Sequence, residues 1–270
     1  MNPRDYFNRK VVIITGASSG IGRALAQAAA AHGARVGLIA RDAARLDAAT
    51  AACRAIGAIS AARAADVCDP SAVTAAIAGI QAELGPCDIL IASAGIHRFS
   101  NGRKFVPENA AAVVETNLIG VIHSIGAVIG GMVERRTGHL VAISSLAGFM
   151  GLPTVGAYSA SKAGVITLMN SLSLDLRDSG VAVTTICPGF IDTPMLGERD
   201  RSVIRGLVSP ADAAERILTA VSRKRRFYSF PFRTWFYARL GSLMPHGLFA
   251  WVWGRLVRMK RRWKEQAERS

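Results

Sequence analysis

Three side chains that could move a proton lie in one short segment between Ser145 and Lys162. Tyr158 and Lys162 are four residues apart, so on a helix their side chains lie on one face, one turn apart. A cation beside a phenol favours the phenolate and lowers a pKa that starts at about 10. The pair would therefore make a usable proton donor and acceptor near neutral pH.

Ser145 precedes the predicted helix and is separated from it by a loop that contains Gly148, Gly151 and Pro153. This loop could bring the hydroxyl back beside the phenol, where it could hydrogen-bond a substrate oxygen. Taken alone, a Tyr-x-x-x-Lys pair occurs by chance on many solvated helix faces. The elements that position it must therefore decide its meaning.

The first 230 residues alternate between short β-branched runs and longer alanine-rich stretches. The short runs predict strands at Val11–Thr15, Arg35–Ala40, Ser60–Ala65, Asp88–Ala92, Gly138–Ser144, Val181–Cys187 and Phe227–Phe230. The stretches between them predict helices at Ile21–His32, Ala43–Ile56, Ser71–Leu84, Asn109–Arg135, Ala157–Asp178 and Pro210–Ser222. Such alternation predicts an α/β domain, a parallel sheet covered by helices on both faces. Because the composition shifts near Arg223, we predict a catalytic domain over 1–230 and a basic, aromatic extension over 231–270.

A glycine-rich turn, Thr15 to Gly22, joins the first predicted strand to a helix. Gly16 would permit the tight turn, Gly20 would let a pyrophosphate approach the backbone, and Gly22 would allow close packing of helix and strand. The N-terminus of the helix favours an anion. A lone glycine loop could be an ordinary turn, but its place between strand and helix favours a dinucleotide site. It is not a P-loop, because no Gly-Lys-Ser/Thr follows.

With these motifs in this order, the chain resembles the short-chain dehydrogenase/reductase family over about residues 10 to 230. The resemblance implies a Rossmann-type doubly wound parallel sheet of about seven strands, to which this chain adds a helical C-terminal extension. It also implies a catalytic set composed of Asn117, Ser145, Tyr158 and Lys162.

The resemblance further implies which residues hold a nicotinamide dinucleotide. They lie in the glycine turn, after strands three, four and six, and in the catalytic pair: Gly16, Ser18, Ser19, Gly20, Ile21, Gly22, Asp66, Val67, Ala94, Gly95, Tyr158, Lys162, Pro188, Gly189, Ile191 and Thr193. One departure is visible, because the family's Asn-Ala-Gly after strand four is Ser93-Ala94-Gly95 here. That asparagine is structural in the family, so the departure concerns local packing rather than catalysis.

The end of strand two indicates which dinucleotide is preferred. An acidic residue there would bind the ribose 2′-hydroxyl and repel a 2′-phosphate. This chain has Ala40 followed by Arg41, and an arginine fork suits a phosphate. We therefore predict that NADP(H) is preferred over NAD(H). The alternative is that Arg41 merely pairs with Asp42 or Asp47.

In the scheme that the resemblance implies, a hydride passes from the nicotinamide to a carbonyl carbon while Tyr158 protonates the oxygen. Lys162 would lower the phenol pKa and bind the ribose, Ser145 would polarise the carbonyl, and Asn117 would hold a water that relays protons. The Ser145–Lys162 segment is similar to that of hydroxysteroid dehydrogenase and carbonyl reductase members, which favours a lipophilic carbonyl or alcohol substrate. The alternative is a non-catalytic NADPH-binding sensor or scaffold at a membrane surface.

The net charge of +14 is concentrated near the C-terminus, where the stretch 223–264 holds twelve basic residues and no acidic one. All four tryptophans lie there too. The stretch could anchor the protein on an anionic membrane surface, or its aromatic residues could cover the substrate pocket or a subunit interface. Nucleic-acid binding is a minor alternative, because its usual motifs are absent. We predict peripheral membrane contact through 227–264 and no nucleic-acid partner.

The remaining sequence features concern the cellular compartment and the oligomeric state of the protein. Four cysteines without a C-x-x-C pair, and five histidines without metal-ligand spacing, predict neither a disulfide framework nor a metal site. The N-terminus lacks the apolar run of a signal peptide, so we expect a cytoplasmic protein, peripheral at the inner face of a membrane. The uncharged run 116–133 just reaches the length of a membrane span, but its polar residues favour a buried helix. By family resemblance, the helices Asn109–Arg135 and Ala157–Asp178 predict a homodimer or homotetramer.

Overall fold

The structure is a computed structural model that describes residues 2–99, 102–197, 201, 204, 206–245, 247–248, 251–252 and 255. Within these residues one sheet contains seven strands: β1 Val11–Thr15, β2 Arg35–Ala40, β3 Ser60–Ala64, β4 Ile89–Ala92, β5 Gly138–Ile143, β6 Val181–Pro188 and β7 Phe227–Phe230. Their order is β3-β2-β1-β4-β5-β6-β7, and every neighbouring pair is parallel. This arrangement confirms the predicted doubly wound parallel sheet.

The strand order reverses at β1, whose two neighbours are β2 and β4. The chain leaves these strands in opposite directions, which opens a crevice beyond their carboxyl ends. β1 and β4 are buried at every position. Burial on both faces explains why these strands are continuous apolar runs rather than alternating ones. The sequence segments predicted to bind a cofactor therefore converge at this edge.

Nine α-helices are described: α1 Pro3–Phe7, α2 Gly20–Ala31, α3 Ala43–Ala55, α4 Pro70–Leu84, α5 Pro107–Val114, α6 Gly120–Glu134, α7 Gly156–Asp175, α8 Pro210–Ser222 and α9 Phe232–Ser242. Phe7, Leu25, Leu46 and Ile217 place α1, α2, α3 and α8 in one core cluster. α4, α6 and α7 contribute to a second cluster. Because each cluster also contains strand residues, helices cover both faces of the sheet.

α5, a π-helical turn over Glu115–Ile119, and α6 form one helical stretch, Pro107–Glu134. Within the described part of the chain it is the one helix long and apolar enough to cross a membrane, judged by length and composition alone. Its inward side chains, including Val121, Val128 and Met132, belong to the core cluster beside the sheet. One face of the stretch is thus buried against the sheet, as expected for a buried helix rather than a membrane span.

The element bounds differ from the sequence-based ones by a few residues. β3 ends at Ala64, β4 begins at Ile89 and α7 ends at Asp175. α1 was not predicted, because five residues are too few to show a periodic pattern. Of the extension, α9 is helical as expected, whereas 256–270 lie outside the described residues. The division at residue 230 stays a prediction.

Candidate active site

The glycine turn between β1 and α2 lies directly against the turn that follows β4. Gly16 has φ +70°, and a Cβ there would stand 2.7 Å from the Ala94 Cα. At Gly22 a Cβ would collide with the carbonyl group of Gly16. Both positions therefore require glycine, the first for its conformation and for space, the second for space alone. The structure brings these predicted residues together as the floor of the crevice.

A hydroxyl on β1 joins the two turns. The Thr15 Oγ1 accepts hydrogen bonds from the backbone N–H of Ser93 at 3.2 Å and of Ala94 at 3.3 Å. Because backbone groups donate both bonds, this contact does not depend on the side chain at position 93. The replacement of the family's asparagine by Ser93 thus leaves the junction between the turns in place.

The N-terminus of α2 has the features that a diphosphate requires. Ser19 occupies the N-cap position but makes no side-chain hydrogen bond to the first turn, whereas Asp42 and Asp69 cap α3 and α4. The first N–H groups of a helix have no intrahelical partner, so they can serve an anion. Ser18 and Ile21 flank this position and are partly exposed. The residues present fit the phosphates of a dinucleotide.

Two residues predicted to contact the adenosine half lie side by side. The Arg41 Nη1 is 3.3 Å from the Asp66 Oδ2, and the exposed fractions of the two side chains are 59% and 39%. Asp42 instead pairs with Arg45, with 2.6 Å between its Oδ2 and the Arg45 Nε. Arg41 is therefore engaged by Asp66 and not by Asp42. Val67 follows as a buried residue that packs on α6 at Gly120.

The loop after β6 crosses the crevice and approaches the glycine turn. Gly189 donates its N–H to the Phe230 carbonyl oxygen at 2.7 Å, and Ile191 forms a bridge with Val208. A Cβ at Gly20 would stand 3.3 Å from the Thr193 Cγ2, so these two residues face each other. The loop from Pro188 to Thr193 thus closes the side of the crevice opposite Arg41.

The Tyr158–Lys162 pair lies where β5 and α7 meet. Lys162 is buried, and its Nζ donates to the Ile143 carbonyl oxygen at 2.8 Å and lies 5.8 Å from the centre of the Tyr158 ring. The Ser145 hydroxyl lies near enough to the Tyr158 phenol to lower the pKa of the phenol. A Cβ at Gly95 would stand 3.6 Å from the Lys162 Nζ. Hydroxyl, phenol and ammonium are therefore brought together as predicted, beside the cofactor crevice.

Asn117 lies in the π-helical turn and ties three segments together. Its Oδ1 accepts from the Ile96 N–H at 2.8 Å, and its Nδ2 donates to the Ile96 carbonyl oxygen at 3.0 Å and to the Ser161 Oγ at 3.1 Å. The Ser161 hydroxyl in turn donates to the Tyr158 carbonyl oxygen at 2.8 Å. The buried amide thus links the turn after β4 to the first turn of α7.

The protonation of the pair differs from the simple expectation. Burial raises the pKa of Tyr158, and the Ser145 hydroxyl offsets only part of this increase. The Lys162 ammonium does not reverse the shift, because it binds the Ile143 carbonyl rather than the phenol oxygen. Burial also lowers the pKa of Lys162 to about 8, a shift that the nearby Cys187 opposes. At neutral pH the phenol therefore carries its proton.

Besides Ser161, two residues near this cluster were not predicted. The His97 ring contacts the Tyr158 ring edge to face, and Cys187 lies close enough to Lys162 for their charges to influence each other. In the sequence His97 is an ordinary histidine, because no local pattern predicts its contact with Tyr158. Cys187 directly precedes the Pro188-Gly189 motif, which is the one signal that could have pointed to it.

The strand order, the glycine turn and the Tyr158–Lys162 pair define a dinucleotide-binding oxidoreductase. The family model for short chain dehydrogenases matches residues 10–203. An uncharacterized oxidoreductase of Myxococcus xanthus (strain DK1622) is 36% identical over 240 residues, which cover 89% of this chain and 94% of that protein. The 3-oxoacyl-[acyl-carrier-protein] reductase FabG of Escherichia coli (strain K12) is 36% identical over 189 residues, covering 70% and 76%.

Among solved structures, a short-chain dehydrogenase/reductase from Burkholderia phymatum in complex with NAD is similar to this chain, with a TM-score of 0.80 and 27% identity. The similarity covers 87% of this chain and 93% of that one. The chain belongs to the short-chain dehydrogenase/reductase family. It is therefore an NAD(P)-dependent oxidoreductase that acts on a small-molecule substrate, as the sequence predicted.

Proposed function

We propose that this protein interconverts a lipophilic carbonyl compound and its alcohol with NADP(H), using Asn117, Ser145, Tyr158 and Lys162. One observation carries the proposal. A phenol that carries its proton lies beside a serine hydroxyl, one helical turn from a buried ammonium and next to the crevice. This is the arrangement needed to give a proton to a carbonyl oxygen.

When bound, the reduced nicotinamide supplies a hydride for the carbonyl carbon. The Ser145 hydroxyl donates a hydrogen bond to the carbonyl oxygen. This hydrogen bond becomes stronger as negative charge develops on that oxygen. Tyr158 transfers its phenolic proton to the same oxygen, so that hydride and proton together give the alcohol. The phenolate that is left is stabilised by the Lys162 ammonium, whose charge is held nearby in a buried site.

The remaining residues of the set act by position. Asn117 holds the turn at Ile96 and, through Ser161, the backbone of Tyr158. Lys162 and Asn117 both lie beside Gly95, and a side chain at that position would stand within 3.6 Å of the Lys162 Nζ and 3.3 Å of the Asn117 Oδ1. In the proposed site the pair lines the path by which Tyr158 regains its proton from solvent.

The preference for NADP(H) rests on Arg41. Its guanidinium is exposed at the end of β2, and its single described ion pair, with Asp66, is long at 3.3 Å. A 2′-phosphate would offer the arginine fork a bidentate partner with more charge than one carboxylate. Asp42, which could repel that phosphate, is held by Arg45. The related Burkholderia structure contains NAD, so the choice of dinucleotide requires a direct test.

A lipophilic substrate is supported by the surroundings of Ser145. Leu146 and Cys187 form a small apolar cluster with Ala238 of α9, and Phe149, Met150 and Trp235 pack against it. The E. coli relative is named for reduction of 3-oxoacyl groups, which carry an apolar chain. The apolar side chains of this cluster exclude water from the surroundings of Ser145, and such surroundings favour an apolar substrate.

We also propose a cytoplasmic homodimer or homotetramer that touches the inner face of a membrane through 227–264. For assembly, the outer face of α6 offers Ile122, Gly126, Gly130 and Val133, all exposed. A Cβ at Gly126 or Gly130 would meet nothing within 4 Å, which leaves room for a partner helix.

The proposal is tested by following oxidation of NADPH and of NADH over a panel of aldehydes, keto-lipids and steroids, with Tyr158→Phe as control. At least one carbonyl should be turned over, and the variant should lose about a hundredfold to ten-thousandfold in kcat. Its dissociation constant for NADPH, measured by nucleotide fluorescence, should stay close to that of the parent. Tight NADPH binding without turnover of any carbonyl would instead favour the sensor or scaffold.

A further inference from the structure

α9 has two apolar faces, and the described residues pack against only one of them. Trp235 and Ala238 face the cluster that contains Leu146 and Cys187, and a Cβ at Gly241 would stand 2.8 Å from the Met150 Cε. This inner face therefore packs on the turn directly after Ser145. The helix follows Pro231, whose Cδ would be 3.2 Å from a Cβ at Gly189. α9 thus borders the substrate side of the site.

The other face of α9 is a stripe of large apolar side chains that are exposed in the described part of the chain. Phe232, Phe236 and Leu240 repeat every four residues, and Leu243 at the C-terminal cap continues the row. Their exposed fractions are 70%, 50%, 47% and 69%. Side chains with this spacing lie on one side of a helix. We call these four residues the α9 stripe.

Cations flank the α9 stripe. On a helix of 3.6 residues per turn, Arg233 lies on one side of the row and Arg239 on the other. Beyond α9, Leu248 and Trp251 are exposed as well, and the Arg255 guanidinium carbon lies 5.4 Å from the Trp251 ring. An exposed apolar row between cations can enter a membrane interface while the cations meet anionic headgroups.

We propose that the α9 stripe docks on an anionic lipid bilayer, so that the Ser145 side of the site faces the membrane and takes apolar carbonyl substrate from it. The proposal rests on the proposed function for its substrate and for its membrane contact, and it adds the residues that make this contact and the side of the site that it turns toward the lipid. Aliphatic chains accommodate the stripe, and lipid phosphates attract Arg233, Arg239 and the basic residues of 255–264, which follow β7 in the chain.

Charge decides against two other occupants. A second copy of the chain, seated symmetrically on this face, would bring two stretches of like charge together without an acidic residue between 223 and 264. A nucleic acid could pair its phosphates with the cations. It would leave Leu240 and Leu243 without a partner, because leucine side chains neither stack on bases nor bind phosphate.

The test uses the full chain and sucrose-loaded vesicles, made of phosphatidylcholine alone or mixed with phosphatidylglycerol. The protein should sediment with the mixed vesicles, and added salt should weaken this binding. Phe236→Ser with Leu240→Ser should weaken it by roughly tenfold or more, because each side chain loses its burial in lipid. The matched control is Ile56→Ser with Ile59→Ser, which removes two side chains of similar exposure, 51% and 58%, from the opposite edge of the sheet.

Activity separates this proposal from the proposed function. With a water-soluble carbonyl substrate the stripe variant should turn over like the parent, whereas with an apolar ketone dissolved in the vesicles it should be slower. No turnover of the soluble substrate by the parent protein would contradict the function and leave the vesicle result intact. Equal sedimentation of parent, stripe variant and control would overturn docking. So would self-association, or retention on double-stranded DNA, that the stripe variant abolishes while vesicle binding is absent.

Discussion

The imidazole ring of His97 stands edge-on to the phenol ring of Tyr158, with the ring centres 5.4 Å apart and the planes at 77°. His97 also contacts Phe99, at 5.1 Å between ring centres. The contact joins the loop after β4 to the first turn of α7. It restricts the ring of the one residue whose proton the proposed reaction transfers.

We expect His97→Ala to lower kcat by roughly tenfold, because a phenol that is free to rotate is less often aligned with the carbonyl. His97→Phe keeps an aromatic edge at the same place and should stay within about threefold of the parent. The measurement is steady-state turnover of the best carbonyl, with NADPH affinity measured separately. If both variants lose activity alike, a nitrogen of His97 matters more than its ring.

Arg41→Gln should reduce kcat/KM for NADPH by about ten- to a hundredfold, the equivalent of one charged hydrogen-bonded pair. The value for NADH should change little, and any effect of freeing Asp66 acts on both cofactors. The ratio of the two is therefore the decisive quantity. Arg45→Gln is the control, since Arg45 pairs with Asp42 next to the same strand. Parallel losses with NADPH and NADH would contradict recognition of the 2′-phosphate.

Assembly through α6 predicts that a bulky cation on its outer face dissociates the oligomer. In Gly126→Arg the side chain would enter the space that the partner helix needs, so sedimentation velocity should show a smaller species. Ala48→Arg introduces the same group at an exposed position of α3 and should leave the assembly unchanged. An oligomer that survives Gly126→Arg would place the interface elsewhere.

Stability should depend on His139. Its Nδ1 is hydrogen-bonded to the Tyr6 hydroxyl at 2.9 Å and its Nε2 to the Thr184 hydroxyl at 2.7 Å. Burial, reinforced by the charges of Lys224 and Lys10, lowers the pKa of His139 from 6.5 to about 3. As the pH falls below 6.5 the unfolded chain binds a proton that the folded one excludes. The free energy of unfolding should thus fall by about 1.4 kcal/mol per pH unit.

Urea unfolding between pH 6.5 and about 5 measures this slope, since most carboxylates are still ionised there. Above pH 6.5 the contribution is complete and the slope should vanish. His139→Gln can keep hydrogen bonds to Tyr6 and Thr184 but does not titrate, so its unfolding free energy should be flatter across the same range. Equal slopes in parent and variant would assign the pH dependence to other groups.

Much of the fold could be predicted from local sequence. β1, β2 and β7 have the bounds that their apolar runs predicted, because buried parallel strands need no more than a short apolar segment between turns. The π-helical turn at Glu115–Ile119 was not foreseen. One extra residue in a helical turn changes the position of Asn117 without disturbing the apolar pattern around it.

The site was predictable to the extent that its residues are ordered along the chain. The Tyr158–Lys162 spacing and the glycine turn are local patterns, and the structure brings them together. Two contacts of the site join segments that are far apart in sequence, so no local pattern predicts them. His97 contacts Tyr158, and α9 packs on the turn after Ser145. The pKa of Tyr158 was expected to fall and instead rises, because burial depends on the whole surroundings of the ring.

The hydrogen bonds from Ser93 and Ala94 to Thr15 also bear on how the protein is made. They connect the first strand to residues almost eighty positions later. Lys162 and the loop from Pro188 emerge from the ribosome later still. A nascent chain can therefore form its first strand–turn–helix unit long before it has a complete cofactor crevice. Dinucleotide binding should therefore stabilise only the complete domain. It would protect full-length chains from proteolysis, whereas truncated chains would remain susceptible.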